Sequence, residues 1–463
     1  DFLDTFTFGT NGSQIVPKSN TDITALASAA GNNSFCLDYS DSSNIVNDAS
    51  SKGNNFTPTG GGSPTITSVN QSLHSPSKVY ATWNALDSAL DGHNTDMTLS
   101  DGGTVTEDGN GAFCRSTFSI PEGLFSYRVT VDDSTANQMF GVALDTATDR
   151  ANGNTNHPNM YAVNAGNGQK NTNGTGSSQY SAWSDGDTME VYVSRSGTTY
   201  KVWYGKNGTL LNGASGSQGD PSAGTNELFS FTHTGDVFFS ADYTNPGTKK
   251  ATTDFGQRGY SPAEGALTLS TPNLLTPSYQ GIDYFDATIY EGNGTGQRVG
   301  DFVPFTDAYT VDNSAMFEHD DAKYLSRTIE APSSSGGKKG TWSVWFKTAN
   351  IDTDNIFFDN GTTATNRFSL NMDASGQIIF SHKAVTILKT GAPSQTADFK
   401  GDGAWHNVVL KVDTSQGTAS NRAAMFIDGV EQTAFETDQR DDTNLSQNDE
   451  IGYMDDSATN DHD

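Results

Sequence analysis

The stretch TMEVYVSRSGTTYKVWYGKNGTLL, residues 188–211, alternates apolar and polar side chains and is interrupted at Ser196-Gly197 and Asn207-Gly208. Alternation places successive side chains on opposite faces of a strand, and Asn-Gly accepts the positive φ that a tight hairpin requires. Almost no segment of the chain carries the 3.6-residue apolar period of a helix over three turns. The pattern therefore predicts an all-β chain of tandem antiparallel β-sandwiches.

Other strands are predicted wherever alternation or a short apolar run recurs. In the segment 124–132, alternation places Phe125, Tyr127 and Val129 on one face. The same reading predicts strands or hairpins at 236–243, 340–348, 355–361, 367–382, 405–413 and 423–435.

Composition limits the class of protein. A chain of 463 residues is too long for one compact core and suggests two or three domains. Only 33% of the residues are hydrophobic, which overlaps the profile of disordered chains, but the aromatic content of 10% favours thin, folded β-cores.

The formal net charge of −29 makes nucleic acid an unexpected partner, since an acidic surface repels phosphate backbones. No apolar run reaches the roughly 20 residues of a membrane span. The two cysteines, Cys36 and Cys114, are too few for a disulfide framework and are expected to be free thiols.

Two changes in composition divide the chain. Residues 1–75 are polar, contain GGGSP at 60–64 and are predicted to form an irregular connector. A first sandwich is predicted at 76–280, a linker at 281–304, and a second sandwich at 305–463.

The second sandwich resembles the laminin-G-like, concanavalin-A-like jelly-roll family. The resemblance lies in WSVWFKT, in RFSLNMDASGQIIF, and in DGAWHNVVLKVD followed by the hairpin residues Phe426-Ile427-Asp428-Gly429. VDNSAMFEHDDAKYLSRT, residues 311–328, resembles the opening strand of that family. The family's closing Phe-x-Gly-Tyr strand is absent, so the chain is expected to continue beyond Asp463, the alternative being a strand from another chain.

The first sandwich resembles a SPRY-like module, in FCRSTFSIPEGLFSYRVTVD, FGVALD and DFGQRGYSPAEGALTLSTPNL. The last segment, together with the laminin-G-like signature, resembles structural and tail-associated proteins of marine bacteriophages. FCLDYSDSSNIVNDASSKGNNFTPTG, residues 35–60, resembles the connector that precedes the SPRY-like module in those proteins, and the N-terminal DFLDTFTFGTNGS suggests that the chain begins mid-protein.

His406 is the first residue to test for chemistry. On a strand it shares a face with Val408, Leu410 and Val412, which favours a core or sheet-face histidine. Asp413 lies seven residues along, roughly 20 Å or more away at about 3.3 Å per residue, and cannot orient His406. No nucleophile with an orienting acid can be named, so a catalytic role is not expected.

Glycoside hydrolases also occur in this jelly-roll superfamily, and they require two carboxylates beside the scissile bond. Glu190 stands alone, and Glu431 and Glu436 flank a hairpin strand. The prediction is therefore that the protein is not an enzyme, with a glycan-degrading enzyme kept as the last alternative.

No cofactor is expected except Ca²⁺. The histidines are dispersed, and no zinc-binding spacing occurs. Acidic loops at 318–323, 438–444 and 453–457 are either solvated surface or calcium ligands, and laminin-G-like domains often hold one Ca²⁺ between rim loops. Asp441, Asp442 and Asn444 are the candidate ligands.

The long loop 146–183 carries the candidate glycan-binding residues His157, Tyr161, Tyr180 and Trp183 among Asn and Gln. A sugar packs its C–H face on an aromatic ring and gives its hydroxyls to planar polar groups. The alternative is a variable loop whose aromatic residues pack onto the sandwich.

Together these features predict a non-enzymatic phage virion protein, part of a tail, fibre or capsid-surface appendage, assembled in the host cytoplasm. Its expected partners are other virion chains, a host-surface glycan and copies of itself, because appendages gain avidity by repetition. A secreted bacterial lectin or adhesin is the alternative.

Overall fold

The computed structural model describes a defined part of the chain: residues 6–8, 15–17, 25, 33–59, 69–75, 78–84, 97–100, 103, 105–108, 113–132, 138–147, 158–243, 249–274, 313–317, 324–327, 336–348, 354–360, 367–391 and 405–451. The predicted linker at 281–304 and the C-terminal residues 452–463 lie outside it. The architecture is all-β, as predicted, with antiparallel strand pairs throughout the described sheets.

In the described part of the N-terminal segment there are four short strands. They are β1 (Phe6–Phe8), β2 (Ile15–Pro17), β3 (Thr57–Thr59) and β4 (Val69–Ser72). β1 and β2 pair with each other, whereas β3 and β4 pair with strands that come much later in the chain.

The described residues of the first sandwich form fourteen strands and one helical turn, α1 (Thr271–Leu274). The strands are β5 (Met97–Ser100), β6 (Val105–Asp108), β7 (Phe113–Ser119), β8 (Gly123–Val131), β9 (Gln138–Leu144), β10 (Met160–Asn164), β11 (Gln169–Thr172), β12 (Thr175–Ser178), β13 (Thr188–Ser196), β14 (Thr199–Lys206), β15 (Thr209–Leu210), β16 (Phe229–Thr232), β17 (Val237–Tyr243) and β18 (Lys249–Asp254).

These strands form two sheets that face each other. One sheet has the order β12-β11-β10-β9-β17-β7, and the other has β15-β14-β13-β8-β18-β6-β5 with β16 paired to β14. Phe125, Tyr127 and Val129 are fully buried between the sheets, so the predicted inward face of β8 is confirmed. The predicted turn at Asn207-Gly208 joins β14 to β15 and has positive φ at both residues.

Asp254 explains why the DFGQRGY segment has a defined shape. Its Oδ1 accepts the backbone N–H of Gly256 at 2.8 Å and of Arg258 at 3.0 Å, and its Oδ2 accepts the N–H of Tyr260 at 2.9 Å. Arg128 from β8 reaches the same carboxylate at 3.3 Å. One buried carboxylate thus folds the loop that leaves β18, because it satisfies three backbone donors that would otherwise be unpaired.

Two strands beyond the first sandwich return to the N-terminal segment. They are β19 (Ser314–Phe317), which pairs with β4, and β20 (Tyr324–Ser326), which pairs with β3. The predicted boundaries at 75 and 305 therefore cut through a paired unit, and the connector is not irregular throughout. We call residues 33–59, 69–75, 313–317 and 324–327 the composite unit.

A small core and one arginine hold the composite unit together. Ile45 and Val46 are buried against Phe56, Ala315 and Leu325. In addition, the guanidinium of Arg327 donates to the carbonyl of Asn33 at 3.1 Å and to Oδ1 of Asn54 at 2.7 Å. The first sandwich is thus an insertion between the two halves of this unit.

The ends of that insertion lie side by side. Tyr80 forms a bridge with Ser270, and the N–H of Thr271 donates to the carbonyl of Val79 at 2.8 Å. An inserted domain with adjacent ends leaves the surrounding unit undisturbed, which is the arrangement that proteins tolerate.

Nine strands are formed by the part of the second sandwich that the structure describes, with 3₁₀ turns at Gly336–Lys338, Ala419–Asn421 and Thr443–Leu445. The strands are β21 (Lys339–Phe346), β22 (Asn355–Asn360), β23 (Phe368–Met372), β24 (Ile378–His382), β25 (Val385–Thr390), β26 (His406–Asp413), β27 (Ala423–Ile427), β28 (Val430–Glu431) and β29 (Phe435–Asp438). The sheets have the orders β21-β26-β27-β28 and β22-β23-β24-β25-β29.

Both cysteines are free thiols, as predicted. Burial raises the pKa of Cys36 to about 11, and the nearby carboxylates of Asp38 and Asp48 add to the shift. Cys114 is buried in the first sandwich. A thiol with a raised pKa is a poor nucleophile, so Cys36 is a structural residue.

Candidate functional site

Tyr161, one of the predicted glycan-binding residues, lies half-buried on β10. Its ring stacks on Phe231 from β16, with centroids 4.0 Å apart and an interplanar angle of 4°. One face of the ring is therefore already occupied by the protein. His157, from the same prediction, lies outside the described residues.

Trp183 does not form the exposed platform that the prediction assigned to it. Its side chain is 2% exposed, its indole N–H donates to the carbonyl of Thr188 at 3.1 Å, and Lys206 Nζ lies 5.3 Å from the ring centroid. An indole needs an open face to carry a sugar, so Trp183 acts as a core residue. This placement agrees with the alternative in which the loop's aromatic residues pack onto the sandwich.

Tyr180 is the predicted residue that lies best for ligand contact. It is half-buried, meets Trp183 edge-on at 6.2 Å, and its hydroxyl donates to the carbonyl of Asn212 at 2.7 Å. Exposed amide side chains of Asn212 and Gln218 lie in the loop that Tyr180 contacts. The sequence did not single out this second loop, because nothing in its composition distinguishes it from other turns.

The candidate calcium loop has a conformation that its own hydrogen bonds explain. Asp442 Oδ1 accepts the backbone N–H of Asn444 at 2.7 Å and its side-chain amide at 2.8 Å. These bonds lower the pKa of Asp442 and cap the turn that buries Leu445. Asp441 is exposed beside it. The proposed calcium site stays a prediction, and the loops at 318–323 and 453–457 lie outside the described residues.

His406 is buried on β26, on the same face as Val408, Leu410 and Val412, as predicted. Its Nδ1–H donates to Oδ2 of Asp428 at 2.8 Å, and Oδ1 of Asp428 accepts the N–H of Asn407 at 2.8 Å. The histidine therefore has an acidic partner that the sequence reading did not find. The partner lies in the turn after β27, where it fixes two adjacent strands.

Asp413, as predicted, does not orient His406. Burial alone would raise its pKa, but hydrogen bonds from Ser415, Gln416 and Lys339 lower it below its usual range. The carboxylate therefore ties the end of β26 to β21, where Lys339 Nζ lies 3.1 Å away.

Two of the three carboxylates considered for hydrolysis accept hydrogen bonds from neighbouring elements of the fold. Glu190 is buried, and its Oε1 accepts the hydroxyl of Thr188 at 2.8 Å and the N–H of Gly208 at 3.2 Å. Glu436 accepts the side-chain amide of Gln377 at 2.6 Å, while Glu431 is exposed on β28. Glu190 belongs to the first sandwich, whereas Glu431 and Glu436 belong to the second.

A further cluster joins the two sandwiches through the composite unit. His74, which is 5% exposed, has its ring 5.5 Å from Trp405 of the second sandwich and 6.3 Å from Tyr80 at the start of the first. Lys347 Nζ, just after β21, lies 3.3 Å from His74 Nε2 and 3.2 Å from the hydroxyl of Thr82. We call these five residues the His74 junction.

The His74 junction is electrostatically unusual. Burial first, and the neighbouring Lys347 ammonium second, hold the pKa of His74 well below its ordinary value. The neutral ring is the form that fits, because only an unprotonated Nε2 can accept a hydrogen bond from an ammonium group. No sequence pattern pointed to this cluster, since its members come from three separate segments.

The fold defines the class: an all-β protein of tandem antiparallel β-sandwiches. Residues 323–461 match the Laminin_G_3 family model, described as the concanavalin A-like lectin/glucanases superfamily. No curated protein matches the chain. In the part of the chain that the structure describes, no helix is long and apolar enough to cross a bilayer.

Solved structures with similarity to the chain include SPRY domains and a carbohydrate-binding module. The SPRY domain of human HERC1 is 13% identical, with 34% of this chain and 91% of that chain covered and a TM-score of 0.26. A second human SPRY domain is 12% identical, with coverages of 36% and 98% and a TM-score of 0.25. The carbohydrate-binding module CBM66 from Bacillus subtilis is 11% identical, with coverages of 34% and 86% and a TM-score of 0.21.

Proposed function

We propose that this protein is a non-enzymatic structural component of a bacteriophage virion, in a tail, fibre or capsid-surface appendage, with loops that contact host-surface glycans. The observation that carries the proposal is the composite unit, in which strands on either side of the first sandwich pair with each other. Modules tied in this way transmit force as one body, whereas modules on a simple linker move independently. A virion appendage needs modules that are tied together as one body.

The non-enzymatic part of the proposal is supported by the roles of the reactive side chains. His406 and Asp428 clasp neighbouring strands, and Glu190 accepts hydrogen bonds from the hairpin beside it. Side chains that hold structural hydrogen bonds of this kind are poorly placed to reach a substrate.

The binding part of the proposal is supported by two features. The second sandwich matches a family described by lectins and glucanases, so carbohydrate recognition is within the repertoire of its fold. In the first sandwich, Tyr180 offers a half-buried ring beside the exposed amides of Asn212 and Gln218. Other virion chains and further copies of this chain are the proposed protein partners.

Immunogold electron microscopy tests the virion assignment directly. Antibodies raised against the recombinant chain should label one defined part of particles purified from the culture that carries the gene. Preadsorption of the antibodies with pure chain should remove the label. Recovery of the chain only from particle-free medium would contradict the virion role and favour the secreted lectin or adhesin.

A glycan array with the full chain separates binding from a purely structural role. Tyr180→Ala and Gln218→Ala should each weaken binding about tenfold, equivalent to about 1.4 kcal/mol. Gln447→Ala, an exposed amide change on the second sandwich, is the matched control and should leave binding unchanged. Release of sugar products from the bound glycan would instead favour a glycan-degrading enzyme.

A further inference from the structure

We propose that the His74 junction holds the two sandwiches together at neutral pH and releases them when His74 is protonated in acid. We call this contact the latch. His74 is the residue on which three parts of the chain converge: its carbonyl accepts the hydroxyl of Ser314 at 2.6 Å, and its ring lies 6.3 Å from that of Tyr80 and 5.5 Å from that of Trp405. The residue before it is tied to the first sandwich, since the N–H of Leu73 donates to the carbonyl of Gln257 at 2.9 Å.

The charges around His74 determine how the latch responds to acid. Among the described residues, the Lys347 ammonium lies 3.3 Å from Nε2 of the ring, and the titratable phenol ring of Tyr80 has its centroid 6.3 Å from that of His74. Burial, followed by the carboxylate of Asp254, raises the pKa of that phenol, so Tyr80 stays neutral in acid. Protonation of His74 would therefore place a second positive charge directly against Lys347.

The same protonation removes the hydrogen bond that closes the junction. A protonated imidazole has no acceptor, so the Lys347 ammonium loses its hydrogen bond to the ring. Like charges in a buried site repel strongly, so the sandwiches separate at this contact.

The direction of the pH response follows from the lowered pKa of His74. Above the ordinary histidine pKa of about 6.5, the ring is neutral in both the closed and the released form, and pH has no effect through this group. Below that value the released form binds a proton that the closed form excludes. The ratio of closed to released molecules then falls by up to tenfold for each pH unit.

Small-angle X-ray scattering of the full chain from pH 7.5 to 5 tests the latch, with circular dichroism showing that both sandwiches stay folded. The wild-type maximum dimension should increase as the pH falls below about 6.5. His74→Gln should remain compact over the same range, because an amide oxygen accepts from Lys347 and does not titrate. Lys347→Met should expand at a lower pH than wild type, since the repelling charge is gone.

His233→Gln is the matched control, because His233 pairs with Asp145 at 2.7 Å in a loop of the first sandwich, away from the latch. It should expand as wild type does. The proposal is overturned if wild type keeps its dimension throughout the folded pH range, or if His74→Gln expands at the wild-type pH. Expansion of His74→Gln at neutral pH, or loss of the response in His233→Gln, would contradict it as well.

Discussion

Asp428 and His406 are 22 residues apart in the chain, yet a 2.8 Å hydrogen bond joins Oδ2 of the aspartate to Nδ1 of the histidine. The second carboxylate oxygen accepts the N–H of Asn407, so one turn residue fixes the start of β26. Asp428 can do so because it adopts a positive φ of 47° in the Asp-Gly turn that follows β27. A hydrogen-bonded histidine–aspartate pair can suggest catalysis, but here the His406–Asp428 pair joins neighbouring strands.

Replacement of Asp428 by alanine should destabilise the second sandwich by about 2–4 kcal/mol, because a buried imidazole and a backbone N–H both lose their acceptor. Urea denaturation of the full chain, followed by hydrogen exchange in β26 and β27, measures the change. Asp441→Ala, in an exposed loop of the same sandwich, is the control and should change stability by less than about 0.5 kcal/mol. Equal effects of the two changes would show that the clasp is not structural.

Gly141→Ala should be among the most damaging single substitutions in the first sandwich. A Cβ at this position would collide with the carbonyl of Tyr161 and lie 2.6 Å from the Cα of Ala162, both on the neighbouring strand β10. Backbone atoms in a sheet cannot move aside, so we expect a loss of about 3 kcal/mol or more. The measurement is thermal or urea unfolding.

Gly186→Ala is the comparison that separates collision from backbone strain. Gly186 has a φ of 83° but nothing within 4 Å of its Cβ position. Its cost should be only the left-handed penalty of about 1–2 kcal/mol. If Gly186→Ala were the more damaging change, packing between β9 and β10 would be looser than the structure shows.

His382 should make the second sandwich sensitive to acid. Burial first, and Lys383 in addition, lower its pKa to about 4, against an opposing effect of Asp449. Below the ordinary value of about 6.5, the unfolded chain binds a proton that the folded chain refuses, so the free energy of unfolding falls as the pH decreases towards 4. The loss between pH 7 and pH 4.5 should be about 2–3 kcal/mol from this group.

Comparison with His382→Gln separates the effect of His382 on the free energy of unfolding from the effects of the many carboxylates of the chain. Urea unfolding of both proteins at pH 7 and pH 4.5 should show the smaller pH effect in the variant. If the two proteins lose the same stability, His382 is already protonated in the folded state and pairs with Asp449 as an ion pair.

Arg327→Ala should loosen the composite unit without unfolding either sandwich. The guanidinium contacts Asn33 and Asn54 and lies 5.9 Å from the ring centroid of Phe56. Hydrogen exchange of residues 45–56 should accelerate by a factor that corresponds to about 1–3 kcal/mol, the range for losing charged hydrogen bonds. Arg440→Ala, which removes the arginine paired with Asp438 in the second sandwich, should leave exchange at 45–56 unchanged.

The sequence predicted strands well and strand partners poorly. Alternation identified Val408, Leu410 and Val412 as inward-facing, because a period of two has a direct physical meaning. It could not show that Ser314–Phe317 pairs with Val69–Ser72, since antiparallel pairing carries no local signal when the first sandwich intervenes.

For the candidate site, too, the sequence predicted local features and missed the contacts between distant residues. Composition located an aromatic and polar loop, but it could not distinguish the buried Trp183 from the half-buried Tyr180, because burial depends on which elements pack nearby. His74 was not found, because its partners Lys347 and Trp405 are distant in the chain. Contacts of this kind become visible only in three dimensions.

The chain forms one interleaved body, because the first sandwich is inserted into the composite unit. A specific protease site placed after Gly292 allows the chain to be cut between the two halves of that unit. After cleavage, both fragments should elute together from a size-exclusion column and separate only in denaturant, because β3 with β20 and β4 with β19 hold them. Elution as two independent species in native buffer would contradict the claim.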